Sequence, residues 1–323
     1  MPRLRYVLCA FISLLAAMDS GAEALESGLL RVQYPEGGEA LGQRSLAILE
    51  SALEDFSAAL EPGDEPIEVI ICGTHAEFAY YAGDYAQARV GGIAVSEEGI
   101  IVVKAPGLQL QPARYGDILR HELAHVMLAR TVDVANVPRW FNEGIAMTLA
   151  EEYRWYSVFH TARMYLQGGT MTYRELQIVM EFAQDHQFGD AYAQSLSMTR
   201  FLKRRLGEEA FWSFVREQEE RPFARILDDY TGWTPHEFVE AWRRSLWQVA
   251  LVSSIVSGFT AFQFMAFLTF AAYMRKKRQG EARIRQWELE EQEDEDPEFL
   301  TWDDVVEPEP EPWAEPDDDE EWR

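Results

Sequence analysis

Metal chemistry is written most clearly at His121-Glu122-Leu123-Ala124-His125, inside the stretch Tyr115 to Arg130. This is an H-E-x-x-H pattern. Asp117 is placed to cap a helix there, and Leu119, Leu123 and Val126 recur at the spacing of a buried stripe. On such a helix the two histidines lie one turn apart on one face. Two imidazoles so placed can chelate one Zn²⁺. Glu122 beside them can take a proton from a water that the ion acidifies.

The pattern needs a third protein ligand. Glu143 follows His125 by eighteen residues, within Pro138-Arg139-Trp140-Phe141-Asn142-Glu143-Gly144-Ile145-Ala146. Pro138 suits the first turn of a new helix, and Phe141, Ile145 and Leu149 give it an apolar stripe. The short connection Thr131 to Val137 can turn the chain back, so that a second helix brings Glu143 under the histidines. Two histidines and one glutamate leave a fourth position open, which is the composition of a catalytic rather than a structural zinc site.

At these residues the sequence resembles a known group. HELAH followed by PRWFNEGIA is similar to the gluzincin zinc metallopeptidases, the thermolysin-like zincins, and above all to bacterial peptidase MA-like domains. A weaker likeness runs through Ala191 to Ser195 and on to about Trp242. The resemblance implies an α+β zincin-like domain, with a small sheet, active-site helices and a mostly helical C-terminal half. It implies that His121, His125 and Glu143 are metal ligands and that Glu122 is the general base. Tyr192 occupies the place of a recurrent tyrosine in such domains, where a phenol can stabilise an oxyanion; the plainer reading is a core aromatic. The chain departs from the pattern in two ways. Its spacing to Glu143 is slightly shorter, and position 147 is Met where those enzymes carry an acid behind the ligands.

The elements that must position these residues can be read around the motif. Residues 25 to 114 alternate helix and strand: a helix over Ala40 to Leu60, a strand at Ile67 to Cys72, a short helix over His75 to Tyr81, then Gly91-Gly92 ahead of the run Ile93 to Val95, and a strand at Ile100 to Lys104. The last of these lies just ahead of the motif helix, where zincins place the edge of their cleft. An extended peptide could pair with such an edge; otherwise it is an ordinary core strand. Residues 138 to 248 read as mostly helical. Thr234-Pro235-His236-Glu237 is a strong helix start. His160 and His186 lack ligand spacing and read as surface or core histidines.

The ends differ from the middle. Residues 1 to 24 read as a signal peptide, with Arg3 and Arg5 ahead of an apolar run and Ala22-Glu23-Ala24 as a cleavage site. Its removal takes Cys9 and leaves Cys72 without an intrachain partner. Residues 247 to 274 are uncharged and are expected to form a transmembrane helix, followed at once by Arg275-Lys276-Lys277-Arg278. Of the net charge of −26, residues 281 to 323 carry −17, so 275 to 323 reads as a cytoplasmic tail, basic then acidic and largely disordered.

The expected organisation is therefore a signal peptide (1–24), a peptidase domain (25–246), a membrane span (247–274) and a tail (275–323). The expected function is a membrane-anchored zinc metallopeptidase. It would sit in the inner, cytoplasmic membrane with its catalytic domain in the periplasm, and hydrolyse envelope proteins or peptides. Two other readings use the same residues: a non-catalytic binding module on the zincin fold, and a scaffold whose acidic tail recruits a cytoplasmic partner. Nucleic acid is not an expected partner, because no basic stripe interleaves with aromatics. No phosphate-binding loop, dinucleotide glycine pattern or serine-nucleophile elbow occurs in the sequence.

Overall fold

In the computed structural model, residues 23–83, 90–152, 155–182 and 188–294 are described, without side chains at 155–159, 181–182, 188, 249, 253–261 and 290–294. The expected signal segment up to residue 22, His186, and the acidic tail from residue 295 lie outside the described residues. Ala24, expected at the end of the signal, is the first residue of a strand.

A five-stranded sheet forms the base of the site. Its strands are β1 (Ala24–Ser27), β2 (Leu30–Gln33), β3 (Ile67–Cys72), β4 (Gly92–Val95) and β5 (Ile100–Lys104), in the order β1-β2-β3-β5-β4. β2, β3 and β5 run parallel, and β1 and β4 pair antiparallel at the two edges. Helix α1 (Glu39–Ser57) makes the crossover from β2 to β3, and α2 (His75–Ala82) follows β3. This parallel core with helical crossovers makes the fold mixed α/β, which corrects the expected α+β class.

Both faces of β3 and β5 are buried, as a parallel sheet requires. Ile67, Val69, Ile71, Ile101 and Val103 face the main core with Leu49 and Phe56 of α1. Ile70, Cys72, Ile100 and Val102 face a smaller cluster with Phe78 and Ala82 of α2. The strand Ile100–Lys104 is interior. That is the second of the two readings the sequence left open, and the edge beside the motif helix is β4.

The motif helix is α3 (Tyr115–Thr131), and α4 (Arg139–Leu149) carries Glu143. A 3₁₀ turn at Val134–Asn136, capped by Asp133 through Ala135 N–H, reverses the chain between them. Then come α5 (Trp155–Leu166), α6 (Tyr173–Phe182), α7 (Phe188–Leu206), α8 (Glu208–Arg216) and α9 (Phe223–Thr231). Trp140 and Phe141 at the start of α4 are fully buried against Phe211, Phe214, Phe223 and Phe238. That aromatic cluster anchors the helix that carries Glu143.

Helix α10 (Pro235–Asp294) opens on a reciprocal cap. Thr234 Oγ1 accepts from Glu237 N–H at 3.3 Å, and Glu237 Oε2 accepts from Thr234 N–H at 2.8 Å. Phe238, Val239, Trp242 and Leu246 pack its first turns into the core. The chain divides into two units, residues 1–255 and 256–323, and the sheet and site belong to the first.

Among the described residues, no helix is long and apolar enough to cross a membrane. This overturns the transmembrane helix expected at 247–274. It also overturns the single-pass inner-membrane placement, with a periplasmic domain and a cytoplasmic tail, that followed from it. The chain does not form a separate helix bounded at 247 and 274: one helix begins at Pro235 and runs on through Arg275 to Arg278 and into the acids beyond.

Candidate metal centre

Helix α3 starts at Tyr115 after a 3₁₀ turn, Pro112–Arg114, with no side-chain cap. Asp117 is in its first turn, where a carboxylate suits the helix dipole, and does not cap it as expected. Leu119, Leu123 and Val126 are fully buried, which turns the histidine face toward α4. Pro138 is the N-cap of α4 rather than its first turn.

His121, His125 and Glu143 converge, each offering a ligand atom within 4.8 Å of the others. The His121 and His125 Nε2 atoms are 3.0 Å apart. Glu143 Oε2 is 3.4 Å from the first and 3.6 Å from the second. Ligand atoms about 2.0–2.1 Å from a tetrahedral zinc lie about 3.3–3.4 Å from one another, so the triangle has the right size.

The donor chemistry fits as well. His121 Nδ1 is 2.7 Å from Glu152 Oε1, and His125 Nδ1 is 2.6 Å from Asn142 Oδ1. A carboxylate and an amide oxygen can only accept, so each Nδ1–H is the donor. Each Nε2 then points a lone pair into the same space. Glu143 Oε2 is buried there and has no hydrogen-bond partner. Two lone pairs and an unsatisfied carboxylate oxygen facing one another are a donor set that a cation can satisfy.

The buried carboxylates make the site electronegative, which favours any positive charge there, a proton or a metal ion. Burial alone would raise the Glu143 carboxyl, but His125 and His121 outweigh it and hold Glu143 well below the usual carboxylate range. Burial would lower His121, yet contact with Glu143 and Glu152 lifts it well above an ordinary imidazole. Glu152 is held low, its burial outweighed by His121 and Arg114. Glu122 is 8% exposed and its carboxyl is raised, chiefly by burial.

Two glycines bring neighbouring elements close. A Cβ on Gly92 of β4 would lie 3.1 Å from Glu122 Cγ and 3.3 Å from Glu122 Oε1, so the edge strand runs directly beside that carboxylate. A Cβ on Gly144 of α4 would lie 2.0 Å from Thr199 Oγ1 and 2.9 Å from Ser195 O of α7. The close approach of α7 places Tyr192 against the ligands. Its phenol is raised well above the usual value by burial first, then by Glu143, to which it is hydrogen-bonded, and by Glu122. His160 is apart from this group and pairs with Asp190, Nε2 to Oδ1 at 2.5 Å.

Sequence reasoning missed Glu152 and Asn142. Asn142 carried a signal, because it precedes Glu143 and so sits on a neighbouring face of the same helix. Glu152 carried none, since it reaches His121 only after α4 ends and the chain reverses. No protein-family model and no curated protein matches the chain. The chemistry is therefore argued from these side chains.

Proposed function

We propose that the chain is a zinc-dependent metallopeptidase of the gluzincin kind, hydrolysing peptide bonds in proteins or peptides. The observation that supports this most is the convergence of two imidazole lone pairs and an unpartnered Glu143 oxygen, with a second buried carboxylate, Glu122, beside them. His121, His125 and Glu143 would hold the ion. A bound zinc ion supplies Lewis acidity toward a carbonyl and toward water.

The residues of the chain then divide the work. Glu122 is buried and its carboxyl is raised, which suits a base that accepts a proton from water and later returns it to the departing amine. Tyr192, whose phenol is held protonated by burial and by Glu143, would donate its hydroxyl hydrogen to an oxyanion. β4 ends the sheet beside Glu122, so an extended peptide added to that edge would bring its backbone past the base.

The test is Glu122→Gln, which keeps the shape of the side chain and removes its basicity. The variant should fold and hold as much zinc as the wild type, while hydrolysis of a peptide library falls by about 10²–10⁴-fold. Undiminished hydrolysis with zinc bound would rule out Glu122 as the base. No hydrolysis by the wild type, zinc loaded, would favour a binding module.

A further inference from the structure

The end of α4 returns a carboxylate to the metal centre. α4 stops at Leu149, and Ala150 closes it. Glu151 then takes φ +53°, and among the described residues it is the one non-glycine with positive φ. Its N–H reaches Thr148 O at 3.4 Å, and Glu152 N–H reaches Met147 O at 3.1 Å. These are the paired bonds of a helix that ends on a left-handed residue, a place glycine usually takes. A side chain there is strained, and such strain persists where the surroundings fix the turn.

The turn aims Glu152 back at α3. Glu152 Oε1 accepts from His121 Nδ1–H at 2.7 Å, and Glu152 Oε2 accepts from Arg114 Nη2 at 2.6 Å. Arg114 belongs to the 3₁₀ turn that leads into α3, and it also lies 3.6 Å from Asp117. The Glu152 side chain is 15% exposed, so its charge is little screened. One turn past Glu143, α4 itself offers only Met147.

We propose that Glu152 is a positioning residue for the metal centre, steered by the left-handed turn at Glu151 and held in place by Arg114. Its carboxylate keeps the proton on His121 Nδ1, fixes the ring, and so leaves Nε2 as the ligand atom. This rests on the reading of His121 as a metal ligand.

The experiment compares the full chain with Glu152→Ala, Glu152→Gln and Arg114→Met. Zinc affinity is measured by chelator competition, the Co²⁺ absorption spectrum reports ligand geometry, and thermal melting of the metal-free forms reports folding. Glu152→Ala should weaken zinc about 10–100-fold, the range for loss of such a partner, and alter the Co²⁺ spectrum. Glu152→Gln should lose less, because its amide oxygen still accepts from Nδ1–H, and it keeps the fold if the alanine variant does not. Arg114→Met should fall between the wild type and Glu152→Ala. Wild-type affinity in both Glu152 variants would overturn the proposal. So would a loss that tracks melting temperature with an unchanged Co²⁺ spectrum, the mark of a purely structural residue. If the wild type binds no zinc, the metallopeptidase reading fails first; if it binds and the variants match it, only this inference fails.

Discussion

The Nε2 atoms of His121 and His125 stand 3.0 Å apart, while each Nδ1 is engaged by an oxygen acceptor, Glu152 for one and Asn142 for the other. Neighbouring imidazoles on a helix do not by themselves adopt this arrangement, because the two lone pairs repel. It is held from outside α3, by residues at both ends of α4. The helix that carries Glu143, together with the turn that follows it, thus also orients both imidazoles.

Tyr192 provides one prediction. Tyr192→Phe removes the hydroxyl beside Glu143 and little else. If that hydroxyl serves the oxyanion, kcat should fall by about 10²–10³-fold with KM nearly unchanged. Steady-state kinetics on a cleaved peptide would show it, and an unchanged kcat would return Tyr192 to the core aromatics.

Gly144 concerns packing. In Gly144→Ala the new methyl meets Thr199 Oγ1 and the Ser195 carbonyl at the distances given above, and the second is backbone that cannot swing away. Overpacking of this kind costs about 1–3 kcal/mol. A lowered melting temperature is expected, with weakened turnover as α7 shifts Tyr192 from Glu143. An unaltered melt would mean that α7 gives way freely.

How much of this was legible in the sequence follows from what is local. The i and i+4 histidines and the motif helix were, because spacing and an apolar stripe fix both. Glu143 was, because a short turn and a second amphipathic helix leave it few places to go. The strands at Ile67–Cys72 and Ile100–Lys104 were, as β-branched runs. Their order was not: that β4 and not β5 flanks Glu122 depends on pairing across the sheet. Glu152 meets His121 across 31 residues through a non-glycine left-handed turn, which no local preference announces. The bounds expected at 247 and 274 are not helix ends, because a single helix runs from Pro235 to Asp294 through the charges on both sides.

Cys72 gives a prediction on pH. It is a free, fully buried thiol on β3, and burial, helped by Glu77, pushes it up to about 12. A thiol in the unfolded chain titrates near 8.5, so the folded state holds the proton more tightly. The resulting stability is complete below about pH 8.5 and is lost as pH rises toward about 12. In a Cys9→Ser background, alkylation at pH 8 should be slow in the folded protein and fast once denaturant unfolds it. Rapid labelling of the native protein would place Cys72 at the surface.

The most direct measurement of the central claim is metal content by elemental analysis of the purified full chain, after loading with zinc and removal of the excess. One zinc ion per chain is expected, falling to near none in His121→Ala, His125→Ala and Glu143→Ala. Absence of zinc from the wild type, or full zinc retained in Glu143→Ala, would contradict the metal centre described for these three side chains.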